Sequence, residues 1–240
     1  MATGELTDRF RDLRAALDAL PAVSEPPKPM LQILGASRSE RTWNTLLAYF
    51  LNPSQPHGFG AALLKAFLDT ARHVADDEIE YYHRDIERVT VETEVASPQN
   101  NRLDVLIRVP GEWFVCIESK VDAPQGTGKP DRYVEDPHIG TEAKSEYPED
   151  GHHYLFLSKE YAPDVTAEEF ADIYWRHVVE AFQETLNRSH GKYPERSVSQ
   201  LNELLSTIRT VTNMEEDDYE QIQREKVQLL SEYRDEIDEL

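Results

Sequence analysis

Two apolar runs, Leu103-Asp104-Val105-Leu106-Ile107-Arg108-Val109 and Trp113-Phe114-Val115-Cys116-Ile117, are separated only by Pro110-Gly111-Glu112. They are rich in β-branched and aromatic residues and show almost no polar alternation. Such runs read as strands covered on both faces, so helices must supply the cover. Proline and glycine in the short connection reverse the chain, which makes the pair an antiparallel hairpin. Upstream, Val89, Val91, Thr93 and Val95 alternate with Thr90, Glu92 and Glu94, the period of a strand with one buried face. Downstream, Tyr154-Leu155-Phe156-Leu157 reads as a further buried strand.

Helical periodicity fills the remainder. It covers Leu6 to Leu20, Ser39-Glu40 to Phe50 with a stop at Asn52-Pro53, and Ala61 to Val74. It returns from Ala167 to Asn187, from Ser197 to Thr210, and from Glu215 onward. A polar stretch runs from Asp76 to Arg84, and Ala123 to Gly151, rich in glycine, proline and acids, reads as a long loop with at most one short helix. Strands between helical blocks predict an α/β fold with a mixed central β-sheet flanked by helices. Residues 1–30 divide into an N-terminal helix and a proline-rich connector, residues 31–190 hold the central domain, and residues 191–240 carry helices that either pack on the core or mediate association, with a homodimer or a protein partner as the candidates.

Charges interrupt the central strands at three places. Asp104, Glu118 and Lys120 sit in or just beyond apolar runs, where an ionised group costs several kcal/mol unless it is paired or bound to metal. In an antiparallel hairpin Asp104 faces Glu118 only if the loop around Gly111 has an odd number of residues, three or five; a two-residue Pro-Gly loop puts the carboxylates on opposite faces. Facing Cβ atoms lie about 5 Å apart, so both carboxylates could reach one ion. Two hard oxygen donors select Mg²⁺ or Mn²⁺. Cys116 is the one cysteine, which excludes an internal disulfide or a cysteine-based zinc site.

Asp104 followed by Glu118-Ser119-Lys120 resembles the signature of the PD-(D/E)XK nuclease superfamily, in which an Asp and a Glu-x-Lys lie on adjacent strands. Arg102-Leu103-Asp104-Val105 resembles the "GRxDI"-like segment of one microbial branch, and Ile117-Glu118-Ser119-Lys120 resembles its "IENK". Glu40 to Asn52, followed by Pro53, His57 and Gly58, is similar to that branch's N-terminal helix and "HG" turn. The resemblance implies a restriction-endonuclease-like core and a hydrolase that cuts phosphodiester bonds in nucleic acid, DNA favoured over RNA, in defence or repair. It implies that Asp104 and Glu118 hold the metal and that Lys120 orients the attacking water or stabilises charge on the phosphoryl oxygens. Glu40 corresponds to a helix glutamate that completes the site. Glu94 either serves similarly from the preceding strand or is an exposed strand residue. Gln125 and Tyr133 stand nearest the Gln and Tyr of the branch's next helix, although Lys129 occupies the glutamine's place and Gly126, Gly128 and Pro130 interrupt the segment.

The formal net charge of −21 has no basic counterpart of the kind nucleic-acid binders ordinarily carry. The acids are spread along the whole chain, arginine outnumbers lysine and large apolar residues are sparse, a halophilic pattern suited to molar salt, where the Debye length is about 3 Å. The alternative is a non-catalytic acidic binding module that keeps the fold and engages a basic partner or mimics DNA. No run is long enough to span a bilayer and no leader-like apolar segment opens the chain, so a soluble cytoplasmic protein without a membrane partner is expected. His57 reads as a turn residue and His152-His153 as structural or solvated. Gly126-Thr127-Gly128-Lys129 lacks Walker spacing.

Overall fold

The structure is a computed structural model that describes residues 3–22, 26–74, 86–121, 131–159, 169–189, 191–214, 218–234 and 237. Contacts divide the chain into two compact units, one from residues 29–212 and one from residues 1–28 with 213–240.

The larger unit is built on a five-stranded sheet in the order β1-β2-β3-β6-β7. Its strands are β1 (Thr90–Ala96), β2 (Arg102–Val109), β3 (Trp113–Ser119), β6 (His152–Ser158) and β7 (Phe170–Tyr174). The first three are antiparallel, and β3-β6-β7 are parallel, so the sheet is mixed. A small hairpin, β4 (His138–Ile139) with β5 (Glu142–Ala143), lies apart from it. The helices of this unit are α2 (Met30–Ile33), α3 (Glu40–Leu51), α4 (Ala62–Val74), α5 (Asp131–Glu135), α6 (Trp175–Arg188) and α7 (Glu195–Thr212).

Both sheet faces are covered, as the unbroken apolar runs require: all seven residues of β3 are buried. One layer is helical, with Trp43 of α3 and Trp175 of α6 fully buried and meeting edge to face at 4.9 Å. On the other face Tyr133, Ile139 and Tyr147 pack onto Leu106, Phe114, Cys116 and Tyr154. This cover comes from the 131–147 stretch, where a long loop with at most one short helix was expected; its α5, β4–β5 hairpin and 3₁₀ turns are held by that shared apolar surface, which local periodicity cannot signal. A second difference falls at β7. Helix was expected from Ala167, but Phe170–Tyr174 is a strand that runs directly into α6. Parallel pairing with β6 supplies its hydrogen bonds, a tertiary effect that overrides a five-residue propensity. The stretch from Asp76 to Arg84 lies outside the described residues.

The hairpin decides the geometry of the charged residues. Val109 pairs with Trp113 and Val105 with Ile117, so Pro110-Gly111-Glu112 is a three-residue loop, with Gly111 at φ +72°. The next pair in that register is Asp104 and Glu118.

The smaller unit contains α1 (Thr3–Ala19) and α8 (Asp218–Glu232). Leu13 and Ile222 are buried in it, and the Arg9 guanidinium lies 4.5 Å above the Tyr233 ring.

Candidate active site

Three elements meet where β2 begins and β3 ends. Ser39 caps α3, its hydroxyl accepting from the Thr42 amide at 3.3 Å, which places Glu40 in the first helical turn. The helix dipole favours a carboxylate there. Glu40 Oε1 accepts from the Val121 amide at 3.2 Å, and its Oε2 lies 3.7 Å from Lys120 Nζ. Lys120 Nζ is 2.9 Å from Glu118 Oε1, whose side chain is only 6% exposed. Asp104 Oδ2 accepts from the Ser119 amide at 2.9 Å. The strands therefore bring Asp104, Glu118 and Lys120 together, and α3 adds Glu40.

Electrostatics follow from this crowding. Burial, and then the charge of Glu118, push the Asp104 carboxyl up to about 7. Burial alone would lower the Lys120 ammonium, but Glu118, by charge and hydrogen bond, and then Glu40 hold it above its ordinary value. The site has more negative charge than its one lysine neutralises. A buried and a half-buried carboxylate of that kind suit a hard divalent cation, and Mg²⁺ takes one or two protein carboxylates and completes its shell with water and substrate oxygens. Among the described residues no group of three or more acidic, histidine or cysteine side chains is placed to hold a metal ion.

The sequence model of the PD-(D/E)XK nuclease superfamily matches residues 29–235. The chain belongs to the PD-(D/E)XK nuclease superfamily. No curated protein and no solved structure matches it.

The superfamily's Glu-x-Lys turn is locked from behind in this chain by residues that carry no motif. The Lys120 amide donates to Leu157 O at 2.8 Å, and the Lys120 carbonyl accepts from Trp175 Nε1 at 3.0 Å. The Ser119 hydroxyl donates to Asn44 Oδ1 at 2.6 Å. Asn44 and Trp175 were missed from sequence; the available signal was an amide one helical turn after Glu40, on the apolar face of α3. Trp175→Phe retains an aromatic ring in the core but removes the donor to the part-buried Lys120 carbonyl. It is expected to lower stability by about 1–3 kcal/mol in urea denaturation.

Tyr133, on α5, is buried and donates from its hydroxyl to the Arg102 carbonyl at 2.8 Å. Burial and the nearby Glu118 raise its phenol, so it stays protonated. Two buried groups fix α5. Asp136 accepts from Ser97 Oγ at 2.5 Å, Asn101 Nδ2 at 2.8 Å and the His138 amide at 2.9 Å, and Lys144 Nζ donates to the Tyr133 and Val134 carbonyls. Gln125 lies outside the described residues.

Glu94 takes a different position from a bare exposed strand residue. It stands across from Asp104 in the β1–β2 register, between the Thr93–Val105 and Val95–Leu103 pairs, with φ +56°. Leu103 and Val95 pack with Leu106, although strict alternation would put Leu103 on the other face. Both strands thus turn over at Glu94 and Asp104. The left-handed backbone at Glu94 costs about 1–2 kcal/mol. Its carboxylate is bridged by two arginines, Arg102 at Oε1 and Arg41 Nε 3.4 Å from Oε2. Exposed pairs of that kind return about 0.2–1 kcal/mol each.

His57 is fully buried, its Nε2 bonded to Asn52 O and its Nδ1 accepting from the Phe59 amide, both at 3.0 Å, which fixes the turn after α3. His152 and His153 begin β6, and the His152 ring lies 4.8 Å from that of Phe114. Cys116 is a buried core residue.

Proposed function

We propose that this chain is a metal-dependent nuclease that hydrolyses phosphodiester bonds in DNA in preference to RNA, with Asp104 and Glu118 as the ligands of Mg²⁺ or Mn²⁺. The observation that carries the reading is the gathering of the half-buried Asp104 and the buried Glu118 beside one lysine, with Lys120 Nζ 2.9 Å from Glu118. A degenerate, purely binding fold would have little reason to keep three charged groups in a site that raises Asp104 to about 7.

Each side chain then has a task. Asp104 and Glu118 bind and orient. Lys120, kept charged by Glu118 and Glu40, orients the attacking water or stabilises negative charge on the phosphoryl oxygens. Tyr133, kept protonated beside Glu118, gives its one O–H to the Arg102 carbonyl and so positions the start of β2. A bound divalent ion would lower the pKa of the attacking water and polarise the phosphoryl group.

The rival is an acidic binding module. The charge of −21 favours it, although the same charge suits a cytoplasm of high salt. Val227 and Leu230, 67% and 44% exposed on α8, support association through the C-terminal helices with a second copy or a protein partner. Among the described residues no helix is long and apolar enough to cross a membrane. End-labelled DNA and RNA strands of one sequence, incubated with Mg²⁺ or Mn²⁺, test the reading. The expected product is a metal-dependent cut leaving a 5′-phosphate, faster on DNA. Partner binding that is unchanged in Glu118→Ala, with no cut on any strand, would favour the module.

A further inference from the structure

Around the acidic site three arginines gather. Arg41 follows Glu40 in α3, Arg102 lies two residues before Asp104 in β2, and Arg132 precedes Tyr133 in α5. Glu94 joins the first two, taking Arg41 on one carboxylate oxygen and Arg102 on the other. Arg132 lies 4.6 Å above the Tyr133 ring and donates to its hydroxyl at 2.6 Å, while that hydroxyl donates to the Arg102 carbonyl. All three guanidinium groups face solvent; the Arg41 and Arg102 side chains are 77% and 60% exposed.

We propose that Arg41 and Arg102, held side by side by Glu94, form a clamp for the backbone phosphates flanking the bond to be cut, with Arg132 as a third contact. The proposal rests on the nuclease reading and names how this acidic chain grips its substrate.

Four observations converge on it. Glu94 engages Nε of Arg41 and a terminal nitrogen of Arg102, so most donors of both forks remain available, and a guanidinium fork matches phosphate oxygens bidentately. Stability gives little reason for the arrangement, because the cost of the left-handed backbone at Glu94 is comparable to what two exposed ion pairs return. The location is also specific, since Arg41 and Arg102 are near neighbours in sequence of Glu40 and Asp104 and are tied to the strand that faces Asp104. Charge balance adds the fourth point. Arg41, Arg102, Arg132 and Lys120 match Glu40, Glu94, Asp104 and Glu118 one for one, so a divalent ion turns this locus positive on a chain of charge −21. Phosphate would then find its cations here.

Fluorescence anisotropy with a labelled duplex in Ca²⁺, over KCl from about 0.1 to 1 M, separates the possibilities. Circular dichroism melts confirm folding, which these exposed side chains leave intact. Arg41→Ala/Arg102→Ala is expected to bind about 10–100-fold more weakly and to reduce the slope of log K against log salt by about 2, near 0.9 for each phosphate no longer neutralised. Glu94→Gln keeps both cations, so its slope stays while its affinity falls about 3–10-fold. In Mg²⁺ the double variant raises KM and leaves kcat nearly unchanged. A double variant with wild-type affinity, slope and KM overturns the clamp and leaves the nuclease reading standing. Wild type that neither binds nor cuts nucleic acid overturns both.

Discussion

Lys120→Ala is expected to lower kcat for phosphodiester cleavage by roughly 10²–10³-fold or more, while divalent-ion affinity is kept or improved. Geometry and electrostatics lead to the same expectation. Lys120 Nζ is held 2.9 Å from Glu118 and 3.7 Å from Glu40, so one cation serves both carboxylates. Removing it leaves Glu118 buried without that charge beside it. Breaking a buried pair costs about 3–5 kcal/mol, and the lower end applies because the Lys120 side chain remains 24% exposed. The metal-free variant should therefore melt lower than wild type, and Mg²⁺ should recover more stability in the variant than in wild type. Rate assays and thermal melts with and without Mg²⁺ check both parts. A variant with wild-type rates would show that the lysine only neutralises charge.

Asp104→Asn should abolish metal-dependent cleavage and yet stabilise the metal-free protein at neutral and alkaline pH. Asp104 has its folded carboxyl raised from an ordinary value near 3.8 to about 7, first by burial and then by Glu118. Its contribution to stability is fully present below about pH 4 and is lost as pH rises through 7, because the ionised form is disfavoured in the folded state. Three pH units set a ceiling of about 4 kcal/mol, and partial solvent access brings the expectation to about 2–4 kcal/mol. Asparagine cannot ionise and can still accept from the Ser119 amide. Urea denaturation in EDTA should thus show the variant more stable than wild type at pH 8, with the difference closing toward pH 4. Divalent ions, which relieve the same strain in wild type, should erase much of the gap.

Much of this arrangement was legible because it is written in local patterns. Buried charges inside two otherwise apolar strands marked Asp104 and Glu118, and loop parity allowed their pairing. The three-residue loop at Gly111 then placed them in register. Glu40 was legible as the head of an apolar helix, and as a site residue only through the superfamily resemblance. Other parts depend on residues distant in sequence. Strand β7 is defined by pairing with β6, and the Trp175 indole reaches Lys120 across fifty-five positions. The 131–147 cover folds because Tyr133, Ile139 and Tyr147 find the sheet's second face. Glu94 reads from sequence as either a site acid or a plain surface residue; its φ of +56° and its two arginines follow no pattern that alternation reveals.

The most direct measurement is nicking of supercoiled plasmid by the wild-type chain and Lys120→Ala side by side, in about 2 M KCl given the acidic surface, with Mg²⁺, Mn²⁺ or EDTA. Wild type is predicted to nick with either ion and not in EDTA, and the variant is predicted to lose nicking. Folded wild type that leaves plasmid and single strands intact with both ions, or nicking that persists in Lys120→Ala or in EDTA, would contradict a metal-dependent nuclease that works through Lys120.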